Sequence, residues 1–293
     1  MHVHGRERSR TALTWTLALT AAFTVVEVVG GLLTDSLALL ADAAHMLSDD
    51  LSLGLALLAS WLATRPPSPR RTFGLQRAEI LAALFNGVTL IAISVWIFVE
   101  AYGRFQDPPD VLGGWMLVVA SGGLAVNLGA ASILHRAGTE SLNVSAALRH
   151  VLADLAGSVG VIVAALVILI SGWEYADPLV SVLIGLLVLA SSWSIIRDAG
   201  AILLEASPRG LNVEQIGTAM ASMPGVVEVH DLHVWTITSG FPALAAHVTV
   251  GRDADCHAAR RELEALLAER FGLEHTTLQV DHAGADLLQI GSP

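Results

Sequence analysis

Long apolar stretches fill the first 205 residues of the chain, and short polar or proline-containing breaks separate them. A helix needs roughly 20 consecutive apolar residues to cross the hydrocarbon core of a bilayer. The pattern therefore predicts a bundle of six transmembrane helices within residues 11–205, preceded by a short tail over residues 1–10. The predicted helices span about 11–33, 37–63, 78–104, 112–136, 144–171 and 177–199.

The hydropathy falls after Glu205, and the remaining residues have the pattern of a small soluble domain. Two helical stretches are predicted there, NVEQIGTAMASM and DADCHAARRELEALLAERFG, and three strands, VVEVHDLHVWTIT, ALAAHVTVG and HTTLQVDH. Asp253 or Asp255 is the candidate N-cap of the second helix, and Gly272 is its candidate C-cap. The order α-β-β-α-β predicts a ferredoxin-like α+β domain over residues 206–293, with helices on one face of a three-stranded sheet.

Composition supports the membrane setting, because 54% of the residues are hydrophobic and only 15% are charged, against about 25% in soluble domains. The arginines cluster before the first predicted helix and in the connections between helices 2 and 3 and between helices 4 and 5, whereas Arg104 alone lies on the opposite side. The positive-inside rule then places both termini in the cytoplasm, for a multi-pass protein of the cell (inner) membrane. The net charge of −11 argues against a nucleic-acid partner, and the single cysteine, Cys256, excludes an internal disulfide.

One spacing, His-x-x-x-Asp, occurs twice inside the apolar segments. His45 and Asp49 lie in the second predicted helix, and His150 and Asp154 lie in the fifth. Residues i and i+4 share a helix face, so each pair offers one imidazole and one carboxylate to the same region of space. Two such helices facing each other supply two nitrogen and two oxygen ligands, a set suited to Zn²⁺.

The alternative interpretation of these four residues is structural hydrogen bonding between helices. Ionisable groups at membrane depth cost at least ~2.5–3.5 kcal/mol each, so they are functional candidates by default. The duplication of the spacing favours a metal ion bound between two transmembrane helices over two unrelated hydrogen-bonded pairs.

Four longer stretches extend this hypothesis to a family: SLALLADAAHMLSD, RRTFGLQRAEILAALFNG, ALRHVLADLAGSVG and VHDLHVWTITSG. They resemble the cation diffusion facilitators, in particular the bacterial zinc–cadmium–cobalt exporters. The resemblance implies a homodimer that exports Zn²⁺, with Cd²⁺ or Co²⁺ as secondary substrates, from the cytoplasm in exchange for protons by alternating access. It also implies that His45, Asp49, His150 and Asp154 are the ligands of the transport site.

The same resemblance implies a regulatory metal site in the cytoplasmic domain, with Zn²⁺ bound by His230, His247 and His282. An Asp that some relatives have two residues after the last histidine is Gly284 here, which leaves a mononuclear and a binuclear site open. The alternative is that these histidines are polar residues on a wet strand face. Strict strand alternation predicts that His233 lies on the face opposite to His230.

Other polar residues of the apolar segments have two interpretations each. Asp42 is either an acceptor for a ligand imidazole or a solvated residue of the external vestibule. Glu27 either takes part in a proton pathway or makes a buried hydrogen bond. Asn86 and Asn127 are predicted to donate hydrogen bonds between helices. The loop RPPSPRRTFGLQRAE contains neither His nor Asp, so no metal site is expected there.

Three other classes of protein remain as alternatives. An intramembrane metalloenzyme needs a base beside an open zinc position, typically in His-Glu-x-x-His, and the sequence has no such string. A passive channel is disfavoured by a complete four-ligand site, which favours occlusion over rapid conduction. The third class is a metal-sensing receptor whose active part is the C-terminal domain. The sequence therefore favours a transporter without enzymatic activity.

Overall fold

The structure is a computed structural model that describes the backbone of residues 2–63, 65–137 and 142–283. Inside these ranges some helical residues are described by their backbone alone, among them 2–13, Asp49, 142–147 and His150. Six long helices come first: α1 (His2–Thr34), α2 (Leu37–Ala63), α3 (Ala78–Gln106), α4 (Gly113–Ala137), α5 (Leu142–Ser171) and α6 (Ala176–Leu203). The tail follows as α7 (Val213–Ala221), β1 (Val226–Thr238), β2 (Phe241–Val250), α8 (Cys256–Phe271) and β3 (His275–His282).

The predicted helix positions agree with these bounds to within a few residues, except at the N-terminus. There α1 begins at His2, whereas the apolar pattern predicted a start near residue 11. Within the described residues, five helices are long and apolar enough to cross a membrane, and the described apolar stretch of α2 is Leu37–Ser48. The apolar part of α1 that qualifies is Thr14–Thr34, so the polar first turns of this helix precede its candidate span.

The chain forms two compact units, and their boundary differs from the predicted boundary at residue 205. One unit comprises residues 1–57 and 83–196, and the other comprises residues 58–82 and 197–293. The end of α2, the following loop and the first turn of α3 therefore group with the C-terminal domain. Hydropathy could not indicate this grouping, because α2 and α3 are apolar on both sides of the division.

Small residues form much of the core of the first unit, while large apolar side chains point outward from it. Ala38, Ala41, Ala120 and Ala164 are almost completely buried in one cluster with leucine, isoleucine and valine side chains. Many large apolar side chains of the same helices are exposed instead, as expected for a surface in contact with lipid acyl chains. Small side chains allow the helix backbones to approach closely.

A buried carboxylate ties the first turn of α2 to α6. Asp177 is completely buried and accepts hydrogen bonds from the Ser36 hydroxyl at 2.6 Å and from the backbone N–H groups of Leu37 at 2.8 Å and Ala38 at 3.1 Å. These are N–H groups that a helix start leaves without a partner inside the helix, and the partial positive charge there favours a carboxylate. Arg104 of α3 approaches the same carboxylate, with Nη1 3.6 Å from Oδ2. Asp177 therefore acts as a cap for a helix that begins 140 residues earlier.

In the C-terminal domain, α7 and α8 pack on a three-stranded sheet of order β1-β2-β3. β1 pairs with β2 antiparallel, and β2 pairs with β3 parallel. Leu244, Ala246 and Val248 of β2 face a core that includes Leu263 and Leu267 of α8. The bounds predicted for β1 and β3 are confirmed to the residue, and those of β2 are confirmed to within two residues.

The caps of α8 are also as predicted. Asp255 is the N-cap and accepts hydrogen bonds from the N–H groups of His257 and Ala258, which hold the pKa of this carboxyl below its usual range. Gly272 ends the helix in a left-handed conformation with φ of 68°. Both caps follow directly from local sequence.

We predict that Asp177→Ala lowers the apparent melting temperature of the detergent-solubilised protein. The free energy of unfolding should fall by roughly 3 kcal/mol, because the substitution leaves a buried hydroxyl and two buried N–H groups without an acceptor. Asp198→Ala is the control, since Asp198 also lies on α6 but forms an exposed pair with Arg209, and such pairs contribute at most ~1 kcal/mol. Thermal unfolding followed by circular dichroism is the measurement. Equal melting temperatures for the two variants would contradict the capping role.

Candidate metal sites

Two of the four residues predicted to bind the transported ion are in contact across α2 and α5. The Nε2 atom of His45 lies 3.6 Å from Oδ1 of Asp154. Asp154 is almost completely buried, and the His45 side chain is 26% exposed. An imidazole and a carboxylate from facing helices thus occupy one region, as the duplicated spacing predicts.

The other two predicted ligands lie one turn away on the same helices. Asp49 is four residues after His45 on α2, and His150 is four residues before Asp154 on α5. Their side chains lie outside the described residues, so the full four-ligand arrangement stays a prediction. His45 lies roughly 12 Å along the axis from the start of α2 at Leu37, at 1.5 Å per residue, and Asp49 lies roughly 18 Å along. Depths of this size fall well inside a hydrocarbon core of roughly 30 Å.

Asp42 lies on the interior of the bundle beside this contact, which excludes the interpretation as a solvated vestibule residue. It is 2% exposed, and its Oδ1 atom lies 2.6 Å from the point where a Cβ atom on Gly157 of α5 would sit. The Ser158 hydroxyl lies near this carboxyl group. A side chain at Gly157 would therefore displace the Asp42 carboxyl group from this position.

Glu27 of α1 is the third buried carboxyl group in this part of the bundle. It is completely buried, and its Oε1 atom lies 2.7 Å from where a Cβ atom on Gly123 of α4 would be. Within the described residues neither of its oxygens has a hydrogen-bond partner. Of the two interpretations of Glu27, a buried hydrogen bond thus finds no support among these residues.

The predicted hydrogen bonds between helices are confirmed for both asparagines. Asn86 of α3 donates to the Ser48 hydroxyl of α2 at 3.4 Å. Asn127 of α4 donates to the Ser158 hydroxyl of α5 at 3.3 Å. Ser158 also lies near Asp42, so polar side chains of α4, α5 and α2 are neighbours inside the bundle.

In the C-terminal domain the structure brings His230 and His247 together. They are direct partners across β1 and β2, and their ring centroids are 5.4 Å apart. Both lie on the sheet face away from the helices, and the Nδ1 atom of His230 is 3.9 Å from a carboxylate oxygen of Glu228. Two of the three predicted regulatory ligands thus share one exposed surface.

The prediction that His233 lies on the opposite face from His230 is wrong. A register shift between these two residues leaves Asp231 unpaired, with φ of 53°, and His233 then pairs with Ala245. Ala245 and His247 share a face of β2, so His233 lies on the same face as His230. A β-bulge of this kind adds one residue to one strand and reverses the alternation beyond it.

His233 also contacts the residue that makes the bulge. Its Nε2 atom lies 2.9 Å from Oδ1 of Asp231, and this hydrogen bond is the main cause that lowers the pKa of Asp231 below its usual range. The bulge therefore places a third imidazole and a carboxylate on the exposed face that carries His230 and His247.

His282, the third predicted regulatory ligand, is not brought to this face within the chain. It pairs with Val250, whose side chain points into the core. His282 instead contacts Cys256 at the start of α8, with the Sγ atom 3.4 Å from the ring nitrogens, and its Nε2 atom lies 2.9 Å from the carbonyl oxygen of Ala254. The physical reason is strand alternation on β3, which places His282 with the core-facing Leu278 and Val280.

Within the described residues, no group of three or more His, Cys, Asp or Glu side chains is arranged closely enough to hold a metal ion. The membrane site is represented there by two of its four predicted ligands, and the cytoplasmic cluster by pairs of side chains.

Two family models match the chain. Residues 13–204 match the cation efflux transmembrane domain, and residues 208–283 match the cytoplasmic domain of cation efflux proteins. The junction between the two matches, at residues 204–208, coincides with the drop in hydropathy after Glu205.

Curated relatives match over nearly the full chain. The metal cation efflux system protein CzcD of Cupriavidus metallidurans is 42% identical over 285 residues, which cover 96% of this chain and 89% of the relative. The cadmium, cobalt and zinc/H⁺-K⁺ antiporter of Bacillus subtilis is 40% identical, with 96% and 91% covered. The zinc transporter ZitB of Escherichia coli is 43% identical, with 92% and 87% covered.

One solved structure also matches, the metal-bound C-terminal domain of the CzcD transporter from Cupriavidus metallidurans. It is 31% identical and covers 24% of this chain and 97% of its own, with a TM-score of 0.23. The two family models together match residues 13–204 and 208–283, and the relatives are about 40% identical over nearly the full chain. This chain therefore belongs to the cation efflux family, the cation diffusion facilitators.

Proposed function

We propose that this protein exports Zn²⁺ from the cytoplasm in exchange for protons, with Cd²⁺ and Co²⁺ as secondary substrates. The protein is a homodimer of six-helix membrane domains in the cell (inner) membrane, with both termini in the cytoplasm and a ferredoxin-like C-terminal domain. The observation that carries the proposal is the 3.6 Å approach of His45 on α2 to Asp154 on α5 deep inside the bundle. Two relatives about 40% identical over nearly the whole chain, one named for cadmium, cobalt and zinc and one for zinc, support the choice of substrate.

The four-ligand site combines His45 and Asp154 with Asp49 and His150, one turn further along the same two helices. Two imidazole nitrogens and two carboxylate oxygens form a tetrahedral set of the kind that Zn²⁺ accepts. A complete set replaces the hydration shell of the ion, so the ion is held in the bundle instead of passing through a continuous aqueous pore.

The ligand chemistry couples metal to protons. Zn²⁺ binds neutral imidazole and ionised carboxylate, so metal binding from the cytoplasm displaces protons from the site. When the site opens to the outer side, protons compete for the same atoms and release the metal. Histidine suits this exchange, because an imidazole ordinarily gains and loses its proton close to neutral pH.

Alternating access requires that α2 and α5 keep the ligand pairs together while the site changes sides. The 3.6 Å approach of His45 to Asp154 supports such a unit, together with the Asp42 carboxyl group beside Gly157 one turn away. A tight contact between two helices favours their motion as one body, which is the usual form of alternating access.

The C-terminal domain acts on this cycle from outside the membrane path. His230 and His247 already lie together on an exposed sheet face, and His233 lies on the same face because of the bulge at Asp231. A metal ion bound there shifts the balance between conformations of the dimer instead of moving through it. His282, the third proposed ligand, lies apart from these histidines and contacts Cys256.

Zinc flux into proteoliposomes, measured with and without a pH gradient, tests the proposed activity directly. Accumulation that needs an opposing proton gradient supports an antiporter. Flux that ignores the gradient would indicate a passive channel, and zinc binding without flux would indicate a sensor.

Removing one membrane ligand should abolish transport. We expect Asp49→Ala or Asp154→Ala to eliminate zinc flux while the dimer stays intact by size-exclusion chromatography, because three ligands leave the divalent ion poorly compensated in a low-dielectric site. Asp50→Asn is the matched control, since its side chain points about 100° further round α2 than that of Asp49. Wild-type flux in either alanine variant would refute the ligand assignment.

Selectivity should follow the chemistry of the ligand atoms. Replacing both His45 and His150 by Asp creates an all-oxygen site, and carboxylates suit Mn²⁺ better than imidazoles do. We expect slower Zn²⁺ flux and a higher ratio of Mn²⁺ to Zn²⁺ flux, measured by competition in the same vesicles. If the ratio stays at its wild-type value, selectivity is set elsewhere in the protein.

The cytoplasmic histidines should modulate transport without being essential to it. The tail from about residue 206 has its own apolar core, so calorimetry can measure its zinc binding in isolation. We expect His230→Ala with His247→Ala to weaken zinc binding more than His282→Ala, because only the first two share a face. In the full-length protein, replacing all three should leave some transport. Complete loss of flux would contradict a modulatory role.

A further inference from the structure

The loop between α2 and α3 forms a basic cavity together with β1. The cavity has a volume of about 560 Å³ and lies inside the unit formed by residues 58–82 and 197–293. Arg70, Arg71 and Arg77 line it from the loop side. A cavity of this size is within the ~300–1,000 Å³ range of small-molecule sites.

Positive charge exceeds negative charge in this cavity, although the whole chain carries a net charge of −11. Among its described lining residues, Glu205 is the one carboxylate that faces the three guanidinium groups. It is paired with Arg77, with Nη2 3.2 Å from Oε1. The guanidinium groups of Arg70 and Arg71 are therefore available to bind an anionic ligand.

The loop backbone holds these arginines in place. Ser68 and Arg71 exchange two backbone hydrogen bonds of 3.0 and 2.9 Å, which puts Arg70 in the tip of a tight turn. A second turn follows, closed by the Gly74 N–H to the Arg71 carbonyl at 2.9 Å, with Gly74 at φ of 67°. A fixed loop loses little conformational entropy when a ligand binds.

Part of the cavity lining is apolar. It consists of Trp235 and Ile237 of β1 and Phe73 of the loop. The hydroxyl of Thr238 donates to Glu79 of α3 at 3.3 Å, so the end of β1 is tied to the first turn of that helix. A free phosphate ion is fully hydrated and gains nothing from an apolar wall, whereas an amphiphile does.

One further polar group in the cavity has no hydrogen-bond partner among the described residues. The side-chain amide oxygen of Gln76, a lining residue, is buried and accepts no hydrogen bond there. A buried acceptor without a donor costs about 1–3 kcal/mol, so a hydroxyl group on a bound ligand would satisfy it. This favours an anion whose phosphate carries a hydroxylated substituent.

Chain connectivity places the cavity at the level of lipid headgroups. Arg77 directly precedes the candidate membrane span Ala78–Gln106. On the other side of the loop, the guanidinium of Arg65 lies 4.4 Å from the ring centre of Trp61, near the end of α2. Tryptophan and arginine at a helix end are typical of the interface between hydrocarbon and water.

We propose that this cavity binds the headgroup of an anionic phospholipid with a hydroxylated headgroup, of which phosphatidylglycerol is the probe. Arg70 and Arg71 hold the phosphate by the bidentate contacts that guanidinium groups make. The amide oxygen of Gln76 accepts from a glycerol hydroxyl, and Trp235 and Phe73 contact the apolar part of the lipid. This site lies apart from the metal ligands, so it goes beyond the proposed zinc export.

Native mass spectrometry of the full-length protein in neutral detergent tests this site. Bound lipids are counted while phosphatidylglycerol or phosphatidylcholine is added. We expect the wild type to prefer phosphatidylglycerol over phosphatidylcholine by about 10-fold, because each arginine near the surface contributes a severalfold factor. The double variant Arg70→Gln, Arg71→Gln should lose this preference. The control double variant Arg260→Gln, Arg261→Gln removes the same charge from the exposed face of α8 and should retain the preference.

The inference is overturned if both double variants bind phosphatidylglycerol like the wild type or if both lose it equally. Millimolar inorganic phosphate provides the second arm. If phosphate alone displaces the lipid completely, the site belongs to a soluble anion and the lipid assignment fails.

A photoactivatable phosphatidylglycerol applied to the wild type supplies a test that needs no variant. We expect it to label the peptide that contains residues 70–77. Labelling confined to other peptides overturns the inference. All three readouts are independent of zinc flux, so the lipid site and the transport proposal can fail separately.

Discussion

Burying carboxylates among apolar helices is the constraint on which the membrane domain depends. Three of them, Glu27, Asp42 and Asp177, are at most 2% exposed, and Asp154 is 5% exposed. Asp177 is stabilised by the N–H groups at the start of α2 and by Arg104, which is the arrangement of a structural group. Asp154 faces an imidazole, and Asp42 faces a hydroxyl. The carboxylates with weaker internal partners lie together around the prospective metal site.

Helix α2 contacts a structural carboxylate, Asp177, at its start and a prospective metal ligand, Asp154, further along, so its parts have different roles. Its first turn is fixed by Asp177 and Ser36. His45 follows about two turns later, at a point fixed relative to that cap by the rigidity of the helix. The far end of α2 belongs to the other compact unit, together with Glu205 and the arginine-rich loop. One helix thus connects a fixed cap, the prospective metal ligands and the basic loop.

Local signals in the sequence were enough to predict most element bounds. The caps Asp255 and Gly272 and the strands β1 and β3 depend on residues within a few positions of one another. The contact of α2 with α5 through His45 and Asp154 could be predicted only because one local spacing occurs twice. The missed features depend on contacts over long distances or on rare backbone conformations. The cap of α2 by Asp177 spans 140 residues, and the bulge at Asp231 uses a positive φ that aspartate adopts without any distinctive pattern around it. Missing that bulge reversed the predicted face of His233.

The place of Asp42 beside Gly157 has a consequence for the surroundings of the prospective site. Each of these two residues lies three positions from a prospective ligand, so their packing affects the side chains one turn away. A methyl group at Gly157 would meet Oδ1 of Asp42 at 2.6 Å and displace that carboxyl group, whereas a hydrogen atom leaves it in place. Gly157 therefore keeps a second carboxyl group beside the contact of His45 with Asp154. The missing side chain sets how many carboxyl oxygens a cation would find between α2 and α5.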